Sequence, residues 1–453
     1  MRVLLIEPYL EYPVKTAQVG MNIGLLSLSS YAKNHCGDKH SFFFFSQQLQ
    51  KALARSFDVK SLIRELRPDV VGISSITSNF LNAVKIADAA KKLNCFVIMG
   101  GIYPSLNASA VLRENRSIDL IVRGEGERTF LRVLESFESN SQLRSLKSIK
   151  GISFRFGGKV LSTSNADLMP IETLPMPDYS LVNTNDYARL NVPGSIETAR
   201  GCSFNCVFCS LRDFWQFCYR KKPVPNVLEE IRRLRYDFDL KKIMLVDDTL
   251  TLDRERVKLL FREIVKEKID ANFYILTRVD MVDTEILNLM FKGGVSQILF
   301  GVEHVEEKIL SSMGKSRLPK DLSRWRHIAE ENICSASKIG YEVYPVFMLG
   351  WPGENEETLL SLSDFIANLK KYPRVVPFLS FVTPHPGTRL WKRANNLRLR
   401  IVESDLNKYT HLYPVAVPYS LGFSAKYKLI KAYNSIVEAT DSEMWNPLIP
   451  DTR

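Results

Sequence analysis

The sequence predicts an α/β chain: an N-terminal Rossmann-like doubly wound parallel sheet, followed by a partial barrel of six β/α units. Three observations carry this. Short apolar runs alternate with helical patterns over residues 1–140, and the alternation resumes over residues 191–390. Between them lies a stretch containing Pro170, Pro175 and Pro177, which stiffen a linker. The 453 residues, 45% apolar and 25% charged, have the make-up of a globular protein of several domains, one domain taking about 100–200 residues. The expected divisions are a first domain at 1–140, a linker with a hairpin at 141–190, a barrel at 191–390 and a C-terminal extension at 391–453.

In the first domain the strand candidates are Arg2–Glu7, Ser41–Phe45, Val70–Ser74, Phe96–Gly100 and Leu120–Val122. Helical patterns fill the gaps at Gly24–Asn34, Leu62–Leu66, Leu81–Lys92 and Thr129–Phe137. Strands buried on both faces read as near-continuous apolar runs, as these do. Ligands of such sheets sit beyond the carboxyl ends of the strands. The residues there are small or turn-forming: Ser74-Ser-Ile-Thr77, Gly100-Gly-Ile-Tyr-Pro-Ser105 and Arg123-Gly-Glu-Gly-Glu127. Glycine lets backbone approach a ligand closely. No G-x-G-x-x-G follows the first strand, which disfavours a nicotinamide or flavin dinucleotide.

The linker opens with a hairpin candidate, Gly151-Ile-Ser-Phe-Arg-Phe-Gly-Gly-Lys-Val160, turning at Gly157-Gly158. The barrel strands are expected at Ser195–Thr198, Ile243–Val246, Phe273–Leu276, Gln297–Phe300, Val343–Leu349 and Phe378–Val382. Catalytic groups of β/α barrels gather at the C-terminal ends of the strands. There the sequence supplies Asp247-Asp-Thr249, Thr277-Arg-Val-Asp280, Gly301-Val-Glu303, Gly350-Trp-Pro-Gly-Glu354 and Thr383-Pro-His-Pro-Gly-Thr388. In the extension, Lys426–Val437 has helical spacing and is expected to cap the barrel.

The net charge of +11 is modest for this length, and acids are interspersed among the basic residues. A polynucleotide-binding face needs clustering that is absent here, so no nucleic-acid partner is expected. The N-terminus lacks the length and cleavage site of a secretory signal. No apolar stretch approaches the ~18–20 residues of a membrane span, so no membrane partner is expected either. Seven cysteines, three of them close together, indicate a reducing cytoplasm rather than a disulfide framework. Cys36, Cys95 and Cys334 are isolated and read as buried thiols.

The chemistry lies in Ala199-Arg-Gly-Cys-Ser-Phe-Asn-Cys-Val-Phe-Cys-Ser210, where Cys202, Cys206 and Cys209 have the spacing C-x3-C-x2-C. A closed structural zinc site takes four protein ligands, and a 4Fe-4S cluster is usually held by four thiolates. Three thiolates leave one metal position open. The plainer alternative is a zinc knuckle completed from elsewhere. Its nearest fourth ligand, Cys218, sits in the aromatic run Phe214-Trp-Gln-Phe-Cys-Tyr219, which suits packing better.

The triplet, with Phe208 before its last cysteine, resembles the defining motif of the radical S-adenosylmethionine (SAM) enzymes. The resemblance implies a 4Fe-4S cluster on Cys202, Cys206 and Cys209, with its free iron chelating the amino and carboxylate groups of SAM. Reductive cleavage then gives a 5′-deoxyadenosyl radical. An external electron donor such as flavodoxin or ferredoxin is implied too. Pro68-Asp-Val-Val-Gly-Ile-Ser-Ser75, Met99-Gly-Gly-Ile-Tyr-Pro-Ser105 and Val122-Arg-Gly-Glu-Gly-Glu127 resemble the cobalamin-binding domain that precedes the barrel in one large branch. That places Ser74, Ser75, Thr77, Gly100, Gly101, Gly124 and Glu125 at a cobalamin site. The D-x-H-x-x-G ligand motif of other cobalamin proteins is absent, so no histidine is placed to bind cobalt from below.

The same resemblance assigns Phe208 to the surroundings of cluster and adenine, Arg278 to the SAM carboxylate and Glu303 to the ribose hydroxyls. Asp247 and Asp248 stand where relatives meet the SAM ammonium, and either aspartate fits. The plainer alternative for Glu303 is an ordinary salt bridge at the barrel top. His385 has the chemistry of an acid–base group near neutral pH, but a histidine in a turn is more often structural. No catalytic side chain is assigned. The expected reaction is cobalamin-dependent C-methylation of a small-molecule substrate, with oxidative cyclisation or rearrangement as the alternative. A zinc-stabilised binding module is the rival from another class. An RNA methylthiotransferase needs a second cysteine triplet in the N-terminal domain, where only Cys36 and Cys95 occur.

Overall fold

The structure, a computed structural model, describes residues 1–11, 20–137, 145–315 and 322–440. The start of the expected linker, 141–144, and the end of the expected extension, 441–453, lie outside the described residues. The chain divides into two compact units, Met1–Ser195 with Asp213–Gln216, and Ile196–Arg212 with Phe217–Arg453.

The first unit runs β1 (Arg2–Glu7), α1 (Ile23–Cys36), β2 (Ser41–Ser46), α2 (Gln47–Ala52), α3 (Val59–Leu66), β3 (Val70–Ser74), α4 (Phe80–Lys91), β4 (Phe96–Gly100), α5 (Ile102–Glu114), β5 (Leu120–Val122) and α6 (Glu127–Ser136). Side chains at the helix starts fix the phase: Asn22 accepts from the Leu25 amide, Ser46 from that of Leu49, and Asp58 from those of Lys60 and Ser61. Val3, Leu5, Val70, Ile98, Leu120 and Phe130 build the core, each such side chain contributing about 1.5–3 kcal/mol. Cys95 is buried, as expected, whereas Cys36 and Cys334 are only half-buried.

All five expected strands are present, in the order β2-β1-β3-β4-β5 and parallel throughout. The order reverses between β1 and β3, which puts the ligand crevice of this topology beyond their carboxyl ends. The expected hairpin forms as β6 (Ile152–Phe156) and β7 (Lys159–Ser162), turning through Gly157 and Gly158 at φ of 57° and 77°. It is not a free connector. It extends the sheet antiparallel to β5, with Phe154 in the core. The proline-containing stretch packs as well: Ser30 donates to the Met176 carbonyl at 2.5 Å and Lys33 pairs with Asp178 at 2.6 Å.

In the second unit the parallel sheet runs in sequence order: β8 (Gly194–Ile196), β11 (Lys242–Leu245), β12 (Asn272–Arg278), β13 (Val295–Glu303), β14 (Glu342–Leu349) and β15 (Phe378–Phe381). Two short strands, β9 (Ala199–Arg200) and β10 (Arg220–Lys221), pair antiparallel around the cysteine segment. Helices Val224–Arg232, Arg254–Lys266, Thr284–Lys292, Trp325–Ile339 and Glu356–Asn368 separate the strands. Sequential neighbouring parallel strands with intervening helices are the layout of a β/α barrel. The helix expected in the extension spans Ala425–Thr440, and Tyr433 stacks on Phe381 of β15 with ring centroids 5.3 Å apart.

Candidate active site

Each chemical group expected in the barrel lies at the end of a strand or just past it. The cysteine loop follows β9, and all three thiols are half-buried and free of disulfides. Burial pushes the Cys206 thiol up and that of Cys209 to about 12. Such thiols become thiolates by binding metal. Among the described residues no three His, Cys, Asp or Glu side chains gather tightly enough to hold a single metal ion. Cluster thiolates serve different irons and need no shared centre.

The loop is tied down by its backbone. Val207 N–H donates to the Met313 carbonyl at 2.9 Å, and Arg389 donates to Asn205 Oδ1 at 2.7 Å and to the Cys206 carbonyl at 2.8 Å. Phe208 meets Trp351 edge to face at 6.0 Å. Trp351 belongs to the Gly350–Glu354 turn and donates to Ser312 Oγ at 2.7 Å.

Asp247 is not at the disposal of a ligand. It is buried, and its carboxylate accepts from Thr198 N–H at 2.6 Å, Thr198 Oγ1 at 2.5 Å and Ala199 N–H at 3.0 Å. Burial still holds its pKa above the usual range. The guanidinium of Arg256 completes this knot, donating to Thr198 Oγ1 and to the carbonyls of Thr198 and Lys222. Asp247 is therefore a brace for the strand entering the cysteine loop. Asp248, its neighbour, lies close enough for its charge to raise the pKa of Cys209.

Arg278 ends β12. Its guanidinium stands 3.7 Å from the ring centroid of Phe204, forks onto Asp280 at 2.9 and 2.8 Å and donates to the Lys315 carbonyl at 2.6 Å. Its remaining nitrogen, Nη1, is buried with no hydrogen-bond partner among the described residues. A carboxylate would satisfy it.

Glu303 ends β13 at φ 71°, a left-handed conformation rare for a residue with a side chain, at a bulge in the pairing with β14. Its Oε1 lies 2.8 Å from Lys315 Nζ. The salt bridge weighed as the plainer alternative is thus present, and it occupies one carboxylate oxygen. Sequence reasoning missed Lys315. Beyond β15, His385 Nε2 meets His411 Nε2 of the extension at 3.4 Å, and burial lowers the pKa of His385 to about 3. His411 was missed as well.

The seven residues expected at a cobalamin site lie at or just past the carboxyl ends of β3, β4 and β5. Ser74 is in register with Gly100, and the Ser75 amide donates to the Gly100 carbonyl at 2.9 Å. Gly101, at φ 96°, presses so closely on the Ser75 backbone that no Cβ fits. Gly124, at φ 72°, donates its amide to Ser105 Oγ at 3.0 Å. Thr77 is buried at the start of a short helical turn. Glu125 is turned inward, where it accepts from the Met169 amide at 3.2 Å. Ser75 Oγ lies 3.1 Å from Asn79 Oδ1. At the end of β1, Glu7 was not expected as a site residue. It is held by Ser46 and Asn22, and burial pushes its pKa up to about 7.

Comparison with known proteins agrees with this geometry. The radical SAM superfamily profile matches residues 196–366, and the B12 binding domain profile matches residues 14–134. The chain is 32% identical over 423 residues to the uncharacterized methyltransferase PH0819 of Pyrococcus horikoshii, spanning 92% of this chain and 87% of that protein. The chain belongs to the radical SAM superfamily, in the branch with a cobalamin-binding domain. It is an enzyme, and its cofactors are a 4Fe-4S cluster, SAM and cobalamin.

Among other relatives of this radical SAM chain, the anaerobic magnesium-protoporphyrin IX monomethyl ester cyclase of Cereibacter sphaeroides is 26% identical over 422 residues. That match covers 89% of this chain and 64% of the cyclase. The fold is shared with the radical SAM methyltransferase TsrM of Kitasatospora setae, solved with cobalamin and a 4Fe-4S cluster (TM-score 0.71, 18% identity, 94% of this chain, 84% of that one). Among the described residues no helix is long and apolar enough to cross a membrane. The Arg278 nitrogen that is orphaned among the described residues fits a carboxylate-bearing cofactor.

Proposed function

We propose that this radical SAM enzyme methylates a carbon of a small-molecule metabolite with the help of cobalamin. The SAM site is supported by the approach of Arg278, with a nitrogen unpartnered among the described residues, to the cysteine loop at Phe204, and methylation by the likeness to a methyltransferase over 92% of this chain. When bound, the cluster and SAM supply a radical that removes a substrate hydrogen atom, and cobalamin supplies a methyl group.

The chain's own residues divide the work. Cys202, Cys206 and Cys209 hold the cluster, and Phe208 packs beside it against Trp351. Arg278 orients SAM by its carboxylate, and Glu303 by a ribose hydroxyl. The SAM ammonium falls to Asp248, because Asp247 is committed to Thr198 and Ala199. Ser74, Ser75, Thr77, Gly100, Gly101 and Gly124 form the cobalamin edge, while Glu125 supports it through Met169. Reduced flavodoxin or ferredoxin would deliver the electron, in a cytoplasmic setting. Interspersed surface charge favours a metabolite over a nucleic acid.

The test supplies anaerobically reconstituted, cobalamin-loaded enzyme with trideuteromethyl-SAM and a metabolite extract. The reading expects S-adenosylhomocysteine beside 5′-deoxyadenosine, and one metabolite gaining a trideuteromethyl group. Formation of 5′-deoxyadenosine with no S-adenosylhomocysteine would favour the cyclisation shared with the Cereibacter sphaeroides relative.

A further inference from the structure

The segment Met313-Gly314-Lys315 touches the cysteine loop, Arg278 and Glu303. Its first residue accepts the Val207 amide of the cysteine loop at 2.9 Å. At Gly314, φ is 68° and a Cβ would come within 2.8 Å of the Asn205 carbonyl oxygen, so only glycine lets this backbone lie on the loop. The carbonyl of Lys315 accepts from Arg278 at 2.6 Å, and its ammonium reaches Glu303 at 2.8 Å. Room for that last contact is made by Gly301, where a Cβ would stand 2.9 Å from Glu303 Oε1 and 3.2 Å from Lys315 Nζ.

Fold stability does not explain the pair. Desolvating two charges costs about as much as their attraction returns, and apolar replacements of such pairs are often neutral. Yet the Lys315 side chain is only 3% exposed, and Glu303, which it meets, has a left-handed backbone conformation. Strain of this kind, about 1–3 kcal/mol per residue, is typically retained where it serves a site. The ammonium occupies Oε1 alone, and Oε2 accepts no hydrogen bond among the described residues.

We propose that Lys315 is the positioning residue of the nucleoside subsite: it fixes Glu303 by one oxygen and presents the other to a ribose hydroxyl of SAM. This rests on the assignment of Glu303 to the ribose made above. The same three residues thereby set the cysteine loop, the carboxylate-binding arginine and the ribose-binding glutamate in one register.

The test uses anaerobically reconstituted holoenzyme titrated with SAM, with 5′-deoxyadenosine and methionine as competitors, for wild type, Lys315→Met, Lys315→Arg and Glu303→Gln. Lys315→Met is expected to weaken SAM and 5′-deoxyadenosine alike by about tenfold, to leave methionine competition unchanged and to keep its iron. Lys315→Arg should recover most of the loss. Combining Lys315→Met with Glu303→Gln should cost little more than either change alone, because both remove one interaction. Unaltered SAM binding in Lys315→Met, weakened methionine competition, or iron lost in step with affinity would each overturn the role of Lys315. A wild-type enzyme that holds its cluster but ignores SAM would overturn the underlying reading as well.

Discussion

Both the amide and the hydroxyl of Thr198 donate to Asp247, at 2.6 and 2.5 Å, four residues ahead of Cys202. This contact joins the entrance of the cysteine loop to the end of β11. Thr198 is wholly buried, so the donors have no water to turn to. Replacing Asp247 with alanine strands them and removes about 2–4 kcal/mol of stability. Urea unfolding should show the loss, and reconstituted protein should bind less iron. Asp247→Asn, which keeps an acceptor, should lie between the two.

Arg278→Lys keeps the charge but loses the planar fork that serves Asp280 and leaves Nη1 for a ligand. The two cations are not interchangeable at a bidentate site. SAM affinity should fall by about 10–100-fold with the iron content intact, as read by titration against the reduced cluster. Equal affinity in the variant would remove Arg278 from the SAM site.

Glu354 and His304 are both fully buried, with Oε1 and Nε2 3.5 Å apart. The Glu306 amide donates to His304 Nδ1 at 3.0 Å, which leaves the proton on Nε2, facing the glutamate. Folding raises the Glu354 pKa from 4.5 to about 8, so its neutral carboxyl stabilises the fold fully below pH 4.5 and the contribution is lost as pH climbs through about 8. His304 runs the other way. Its pKa falls from 6.5 to about 3, so its contribution is complete above pH 6.5 and disappears as pH drops through about 3. Wild-type Tm should decline by several degrees between about pH 5 and pH 8, and Glu354→Gln should flatten that decline. A slope unchanged by the substitution would show that Glu354 is not the titrating group.

Gly101→Ala adds a Cβ against the Ser75 backbone at a φ of 96°. The strand-end loop must shift, at a cost of about 1–3 kcal/mol. Corrinoid retained after growth with supplied cobalamin should fall well below the wild-type level, while cluster absorbance stays unchanged. Full corrinoid retention would move the cobalamin edge elsewhere.

Most of the fold was legible because the strands are short, apolar and β-branched, and such runs announce a buried parallel sheet. Helix α5 was not, because Gly100, Gly101 and Pro104 read as a turn. In the structure Pro104 lies in the first turn of that helix, where its missing N–H breaks no hydrogen bond. The hairpin was visible, but its partner β5 lies about thirty residues earlier, and pairing at that distance leaves no local mark. The cysteines, Arg278 and Glu303 stood out because each follows a strand. Adjacent aspartates gave no sign that Asp247 faces inward. Lys315 and His411 escaped notice because their importance comes from residues they meet only on folding, Glu303 and His385.

The account is tested most directly by electron paramagnetic resonance of the reduced, anaerobically reconstituted enzyme, recorded with and without SAM. It predicts a 4Fe-4S signal that depends on Cys202, Cys206 and Cys209 and whose g values move when SAM is added. Zinc in place of iron, or an iron–sulfur signal that SAM leaves unmoved, would contradict it.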